Sequence, residues 1–173
     1  MKACATISGA LLAISIATLA AGPALTWHVE HDRDSSAAMT RIDPDTRMLR
    51  YQLGGGRAMN QFAALVGGIA GGLSSYASVT FSGRADHPMR IAVQLRPAGR
   101  NNPPRWQRSV YLDESPRTIT VVFSDMQPVP RTVTSPVPLA SIDALMFVVD
   151  TNNTAPGTTG VVTIGAVEWS ALH

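Results

Sequence analysis

The residues best suited to chemistry stand at alternate positions of two short runs. Arg90, Gln94 and Arg96 recur along Met89 to Arg96, and Gln107, Ser109, Tyr111 and Asp113 recur along Trp106 to Asp113. In an extended chain, residues two apart share a face, so each set lines one side of a strand. If the two strands lie in one sheet, the sets form a planar polar surface with an aromatic member. Sugars suit such a surface, because their C–H faces pack on aromatic rings and their hydroxyls pair with Arg, Gln and carboxylate groups. The competing reading is a solvated sheet face with ion pairs such as Arg90 or Arg108 to Asp113, each contributing about 0–1 kcal/mol.

Tyr111 is the aromatic expected to touch a ligand, since it points away from Val110 and Leu112. Trp106 has the parity of Val110 and Leu112, which favours the core, yet its place beside a proline-rich loop also suits a sugar platform. Asp150 opens the turn Asp150-Thr151-Asn152-Asn153-Thr154, where its carboxylate and Asn152 can stand at a groove rim. The ligand-binding candidates are therefore Arg90, Gln94, Arg96, Trp106, Tyr111, Asp113 and Asp150.

Other motifs speak against catalysis. His28 and His31 bracket Glu30, but on a strand an offset of three sends the two rings to opposite faces, unlike the helical zinc-peptidase motif. The run Gly54-Gly55-Gly56-Arg57 lacks the Gly-Lys-Ser/Thr ending of a phosphate loop and serves as a strand connection. No nucleophile elbow is present, and the twelve acidic residues carry no signature of a paired-carboxylate site. The sequence reads as a protein that is not an enzyme.

Composition sets the frame for these residues. A chain of 173 residues accommodates one domain. Hydrophobic residues make 45 % and charged residues 15 %, against about 25 % charged in an average globular chain, which excludes disorder. The net charge is +2, and thirteen of the fourteen basic residues are Arg, Lys2 being the one lysine. So small an excess makes no strong basic field and argues against a nucleic-acid partner.

Between Lys2 and Glu30 the chain carries no charge. A single lysine followed by the apolar residues Ile7, Leu11, Leu12, Ile14, Ile16 and Leu19 and then by small residues has the form of a secretory signal, cleaved after Gly22 or after Ala20. Residues 1–26 are thus expected to be a signal peptide, and 27–173 a periplasmic or secreted domain. The alternative is an uncleaved membrane anchor over residues 3–25, a run close to the length a bilayer span needs. Cys4 is the one cysteine, which excludes an intrachain disulfide, and cleavage leaves the mature domain without a thiol.

The rest of the chain reads as strands. Leu49, Tyr51 and Leu53 alternate with polar neighbours, as do Val79 and Phe81, and Met89, Ile91, Val93 and Leu95. Further strands are expected over Gln61 to Val66, Trp106 to Leu112, Thr118 to Phe123, Ala144 to Val149 and Val161 to Trp169. Leu145 to Val149 lacks alternation and should be covered on both faces. Loops are expected at 54–56, 67–75, 97–105, 128–138 and 151–160, and four prolines between Gln127 and Pro138 keep that segment from the inside of a sheet. Helix should be confined to a turn near Ser141.

The succession of Trp27-His28-Val29-Glu30, Leu49 to Leu53, Met89 to Arg96, Trp106 to Asp113 and Phe147-Val148-Val149-Asp150 resembles the galactose-binding-domain-like jelly rolls. That superfamily includes bacterial carbohydrate-binding modules and the complex I intermediate-associated proteins. The resemblance implies an all-β, two-sheet antiparallel sandwich, noncatalytic, with a groove on one sheet or in the loops at one end. It also implies a structural calcium between the first and last strands, for which Glu30 and Glu168 stand in corresponding places, two carboxylates that backbone carbonyls would have to supplement. The last strand, Ile164 to Glu168, lacks the aspartate often found earlier in it. The expected partner is carbohydrate, or another protein if the module serves assembly, with no other cofactor.

Overall fold

The computed structural model describes residues 22–56, 61–99 and 103–172. The signal or anchor segment lies outside these residues up to position 21, as do Cys4 and Arg57. Among the described residues no helix is long and apolar enough to cross a membrane.

Among the described residues eleven strands form in chain order: β1 (Leu25–His31), β2 (Ser36–Arg41), β3 (Arg47–Gln52), β4 (Phe62–Ile69), β5 (Tyr76–Ala85), β6 (Met89–Pro97), β7 (Arg105–Leu112), β8 (Arg117–Val122), β9 (Gln127–Val129), β10 (Ile142–Asp150) and β11 (Thr159–Ala171). They build a six-stranded sheet in the order β1-β4-β10-β6-β7-β9 and a five-stranded sheet in the order β2-β3-β11-β5-β8. All pairings are antiparallel. The protein is an all-β jelly-roll sandwich, as the alternating runs and the resemblance imply.

The core is the layer between the sheets, and the period of two fills it. Leu49 and Tyr51, Val79 and Phe81, Ile91, Val93 and Leu95, Leu145, Phe147 and Val149, and Val162 and Ile164 all point inward and are buried. Phe81 meets Phe147 edge to face at 4.8 Å, joining the two sheets at their centre. Strand β10 is buried on both faces, because it lies inside the six-stranded sheet and its outer residues Ala144, Met146 and Val148 enter a second apolar cluster.

Several boundaries differ from the sequence expectation. Strand β1 starts at Leu25, inside the segment assigned to residues 1–26. Strand β4 continues through Gly67 and Gly68 instead of giving way to a loop. Strand β2 had no counterpart, since Ala37 and Met39 alternate weakly with Ser, Ala and Thr. Strand β9 forms in spite of Pro128, at the edge of its sheet, where the missing donor costs least. The turn at Leu139–Ser141 is a short 3-10 helix, where a helical turn was expected.

Strand β11 carries a bulge between Gly165 and Val167, so Ala166 has no partner on β5. Before the bulge Val162 and Ile164 face the core, and after it Val167 and Trp169 do. Glu168, paired with Thr80, therefore faces solvent on the outside of the five-stranded sheet.

Candidate functional site

The outer face of the six-stranded sheet is built in cross-strand rows. Glu30, Ala64, Val148, Ala92 and Ser109 make one row, and His28, Val66, Met146, Gln94 and Gln107 make the next. Thr26, Gly68, Ala144 and Arg96 make a third. Small apolar side chains thus occupy the middle, and polar ones stand on the flanking strands. Ala64, Val66, Ala92, Ala144, Met146 and Val148 are each at most 2 % exposed, with Phe62 packed against them.

Two polar walls flank this floor. From β6, across β10 and β4, the Arg96 guanidinium donates to both carboxylate oxygens of Glu30 on β1, at 2.8 and 3.0 Å, and the His28 ring lies 3.1 Å from Glu30 Oε1. The hydrogen bond from Arg96 holds the Glu30 carboxyl below the usual carboxylate range, and the same bond raises Arg96 above its ordinary value. The Asp143 carboxylate sits 3.9 Å from Arg96 Nε. On the other side Gln94 Nε2 donates to Gln107 Oε1 at 3.1 Å, and Arg105 reaches Gln94 Oε1 at 3.5 Å. Among the described residues Arg105 has no carboxylate partner.

These walls enclose a pocket of about 610 Å³ lined by Glu30, Phe62, Arg96, Arg105, Asp143 and the loop residues Pro97, Gly99 and Pro103. A smaller one of about 120 Å³ lies beside it, among Gln61, Gln94, Gln107, Asp150 and Asn152, and shares Phe62 and Arg105 with the first. Sharing these residues, the two pockets adjoin as one groove on the outer face of the sheet. The Gln and Arg groups, already oriented by one another, offer donors and acceptors at fixed geometry.

The structure brings most of the sequence candidates to this face and separates others from it. Gln94 and Arg96 stand in the groove walls. Arg90 and Tyr111 are register partners farther along the same face, and Tyr111 is 43 % exposed. One face of its ring is occupied by Arg117, whose guanidinium carbon lies 5.6 Å from the ring centre. Asp150 is at the groove end, where its carboxylate accepts bonds from the Asn152 backbone and side chain and from Asn153 Nδ2, at 3.1, 3.1 and 2.9 Å.

Three expectations are corrected. Trp106 is no platform on this face: it points between the sheets, is 4 % exposed, and donates its indole N–H to the Ser135 carbonyl at 3.2 Å. Asp113 lies past the end of β7 and is engaged by Arg117, which lowers its carboxyl, and by the Ser115 amide, so it does not join the groove. Glu30 and Glu168 cannot share a calcium ion, since they face outward from opposite sheets with the core between them. Among the described residues no cluster of three His, Cys, Asp or Glu side chains could hold a metal.

Phe62, Arg105 and Asp143 were missed as site residues. Phe62 and Arg105 have the parity of the outer face, a signal that was present, but their meeting depends on β4 and β7 lying in one sheet. A larger concavity of about 680 Å³ lies beneath the proline-rich loop, over Trp106, Phe123 and Met126, with Arg131 the one charged side chain among its lining residues.

No protein-family model matches the chain, and no curated protein sequence matches it. Solved structures share its fold. It is similar to a family 11 carbohydrate-binding module of a cellulosomal cellulase from Clostridium thermocellum, at 14 % identity over 88 % of this chain and 96 % of that one, with a TM-score of 0.62. A family 11 module from the same organism, in complex with a β-1,3-1,4-mixed-linked tetrasaccharide, gives 14 % identity, 88 % and 97 % coverage and a TM-score of 0.61. A family 4 carbohydrate-binding module gives 15 % identity, 84 % and 86 % coverage and a TM-score of 0.53. At these identities the likeness establishes the fold: this chain has the jelly-roll β-sandwich of carbohydrate-binding modules.

Proposed function

We propose that the protein is a noncatalytic carbohydrate-binding module whose ligand lies in the groove on the outer face of the six-stranded sheet. The observation that carries this reading is the groove itself, two adjoining pockets on the outer face that share Phe62 and Arg105 and are bordered by Gln94, Gln107 and the Arg96–Glu30 pair. Sugar rings laid in the groove would bury C–H faces against Phe62 and direct hydroxyls to Gln94, Gln107 and Arg105. Affinity then comes mainly from hydrogen bonding, because Phe62 is the one aromatic side chain lining either groove pocket. The fold likeness to modules that include one in complex with a β-1,3-1,4-mixed-linked tetrasaccharide supports the same class of ligand.

Export is part of the proposal and rests on the uncharged run from Ala3 to Leu25. The test is affinity gel electrophoresis of the protein against soluble β-glucans, xylan, galactans and pectins, with sedimentation on cellulose and chitin. Retention by at least one polysaccharide, without release of reducing sugar, is expected. Free migration through all of them overturns the reading.

A further inference from the structure

The Arg96–Glu30 pair spans more of the sheet than a wall contact requires. Glu30 is on β1 and Arg96 on β6, with β4 and β10 between them. The register carries Glu30 across to Ala92, so the two residues are also offset by the distance from Ala92 to Arg96 along β6. On a flat sheet that separation is about 14 Å across the strands and about 13 Å along them, beyond the reach of the two side chains. The sheet's twist must therefore bring the two ends together, and the pair runs diagonally across the rows between them. Val66 and Met146, register neighbours on β4 and β10, stand between the two rows, and they are 0 % and 1 % exposed although they face outward.

We infer that the Arg96–Glu30 ion pair is a latch across the groove, which must part before a polysaccharide reaches the floor. This rests on the carbohydrate reading of the groove. Both ends of the latch are supported, Glu30 by His28 at 3.1 Å and Arg96 by Asp143 at 3.9 Å. The two charged side chains remain 30 % and 27 % exposed, so solvent screens the pair and the closed state is favoured only modestly. The apparent affinity is reduced by the fraction of molecules already open, and an interaction of this strength corresponds to a loss of roughly two- to fivefold.

Glu30→Gln in the full chain is the test, since it removes the charge with little change of shape. Two readouts are taken on it. The first is oxidation of Met146 by dilute hydrogen peroxide, followed by mass spectrometry. Met89, inside the sandwich and 7 % exposed, is the control for general loosening. The latch requires Met146 to oxidise several-fold faster in the variant while Met89 keeps its rate. The second is retention in gels containing soluble β-1,3-1,4-glucan, where the variant should bind roughly two- to fivefold more tightly. An unchanged Met146 rate overturns the latch, as does faster oxidation with unchanged or weaker glucan binding. If Glu30→Gln loosens the whole fold, Arg96→Gln opens the latch from its other end and is read by the same Met146 to Met89 comparison. Failure of wild type and variant on every polysaccharide defeats the carbohydrate reading, and the oxidation rates still decide whether the pair covers the floor.

Discussion

Trp106 and Tyr111 belong to one strand and face opposite ways: the indole is packed between the sheets, and the phenol ring stands 43 % exposed on the outer face. Their truncations should therefore separate. Trp106→Ala is expected to cost about 3–5 kcal/mol through the cavity it leaves, and Tyr111→Ala less than about 1 kcal/mol. Urea unfolding of both variants reads the difference directly, and equal losses would contradict the placement.

Arg105 and Gln94 also make a contrasting pair. Arg105 lines both pockets and touches Gln94 only at 3.5 Å, so Arg105→Ala should leave stability unchanged and weaken polysaccharide binding by about 1.5–3 kcal/mol, the range for a charged hydrogen bond. Gln94 is 5 % exposed and pairs with Gln107, so Gln94→Ala should lower both affinity and melting temperature. Titration and melting of the two variants in one buffer would test this.

Glu30 gives the fold an acid dependence of known sign. Its carboxyl is held below its ordinary value of 4.5 by the bond from Arg96, so its contribution is present above that value and is lost as pH falls through the lowered one. The melting temperatures of wild type and Glu30→Gln should differ at pH 6 and converge as the pH is lowered progressively below 4.5.

Tyr51 supplies the alkaline counterpart. Burial pushes its phenol up to about 12, while an unfolded chain releases the proton near 10. The folded state then holds a proton that the unfolded state has lost, and stability should fall between about pH 10 and pH 12. Tyr51→Phe should remove this part of the dependence at small cost at neutral pH, because the hydroxyl makes only a 3.8 Å contact to the Met89 sulfur. A denaturant midpoint that does not respond to alkali in wild type would contradict it.

Strong local patterns were legible in the sequence. Met89 to Leu95 announces a strand by alternation, and Leu145 to Val149 announces burial on both faces by its absence. The same parity placed Arg90, Gln94, Arg96 and Tyr111 on one surface, which the pairing of β6 with β7 confirms as geometry. What escaped depends on sheet order. Nothing local to Glu30 says that β1 is three strands from β6, or that the sheet curls enough for Arg96 to reach it. The calcium expectation failed because it joined the first and last strands in one site. Strand β1 lies in the six-stranded sheet and β11 in the five-stranded one, so the two carboxylates point away from each other.

The unpaired Ala166 gives this fold a place where chain length can change without penalty to the interior. Deleting it would join Gly165 to Val167 and leave strict alternation, with Val162, Ile164, Val167 and Trp169 all still directed inward. Deleting Thr163 instead would reverse the facing of one arm of the strand and set either Val162 or Trp169 toward water. Single-residue insertions and deletions should accordingly be absorbed at position 166 and rejected two or three residues before it, so that the bulge acts as a point of tolerated drift in an otherwise length-locked strand.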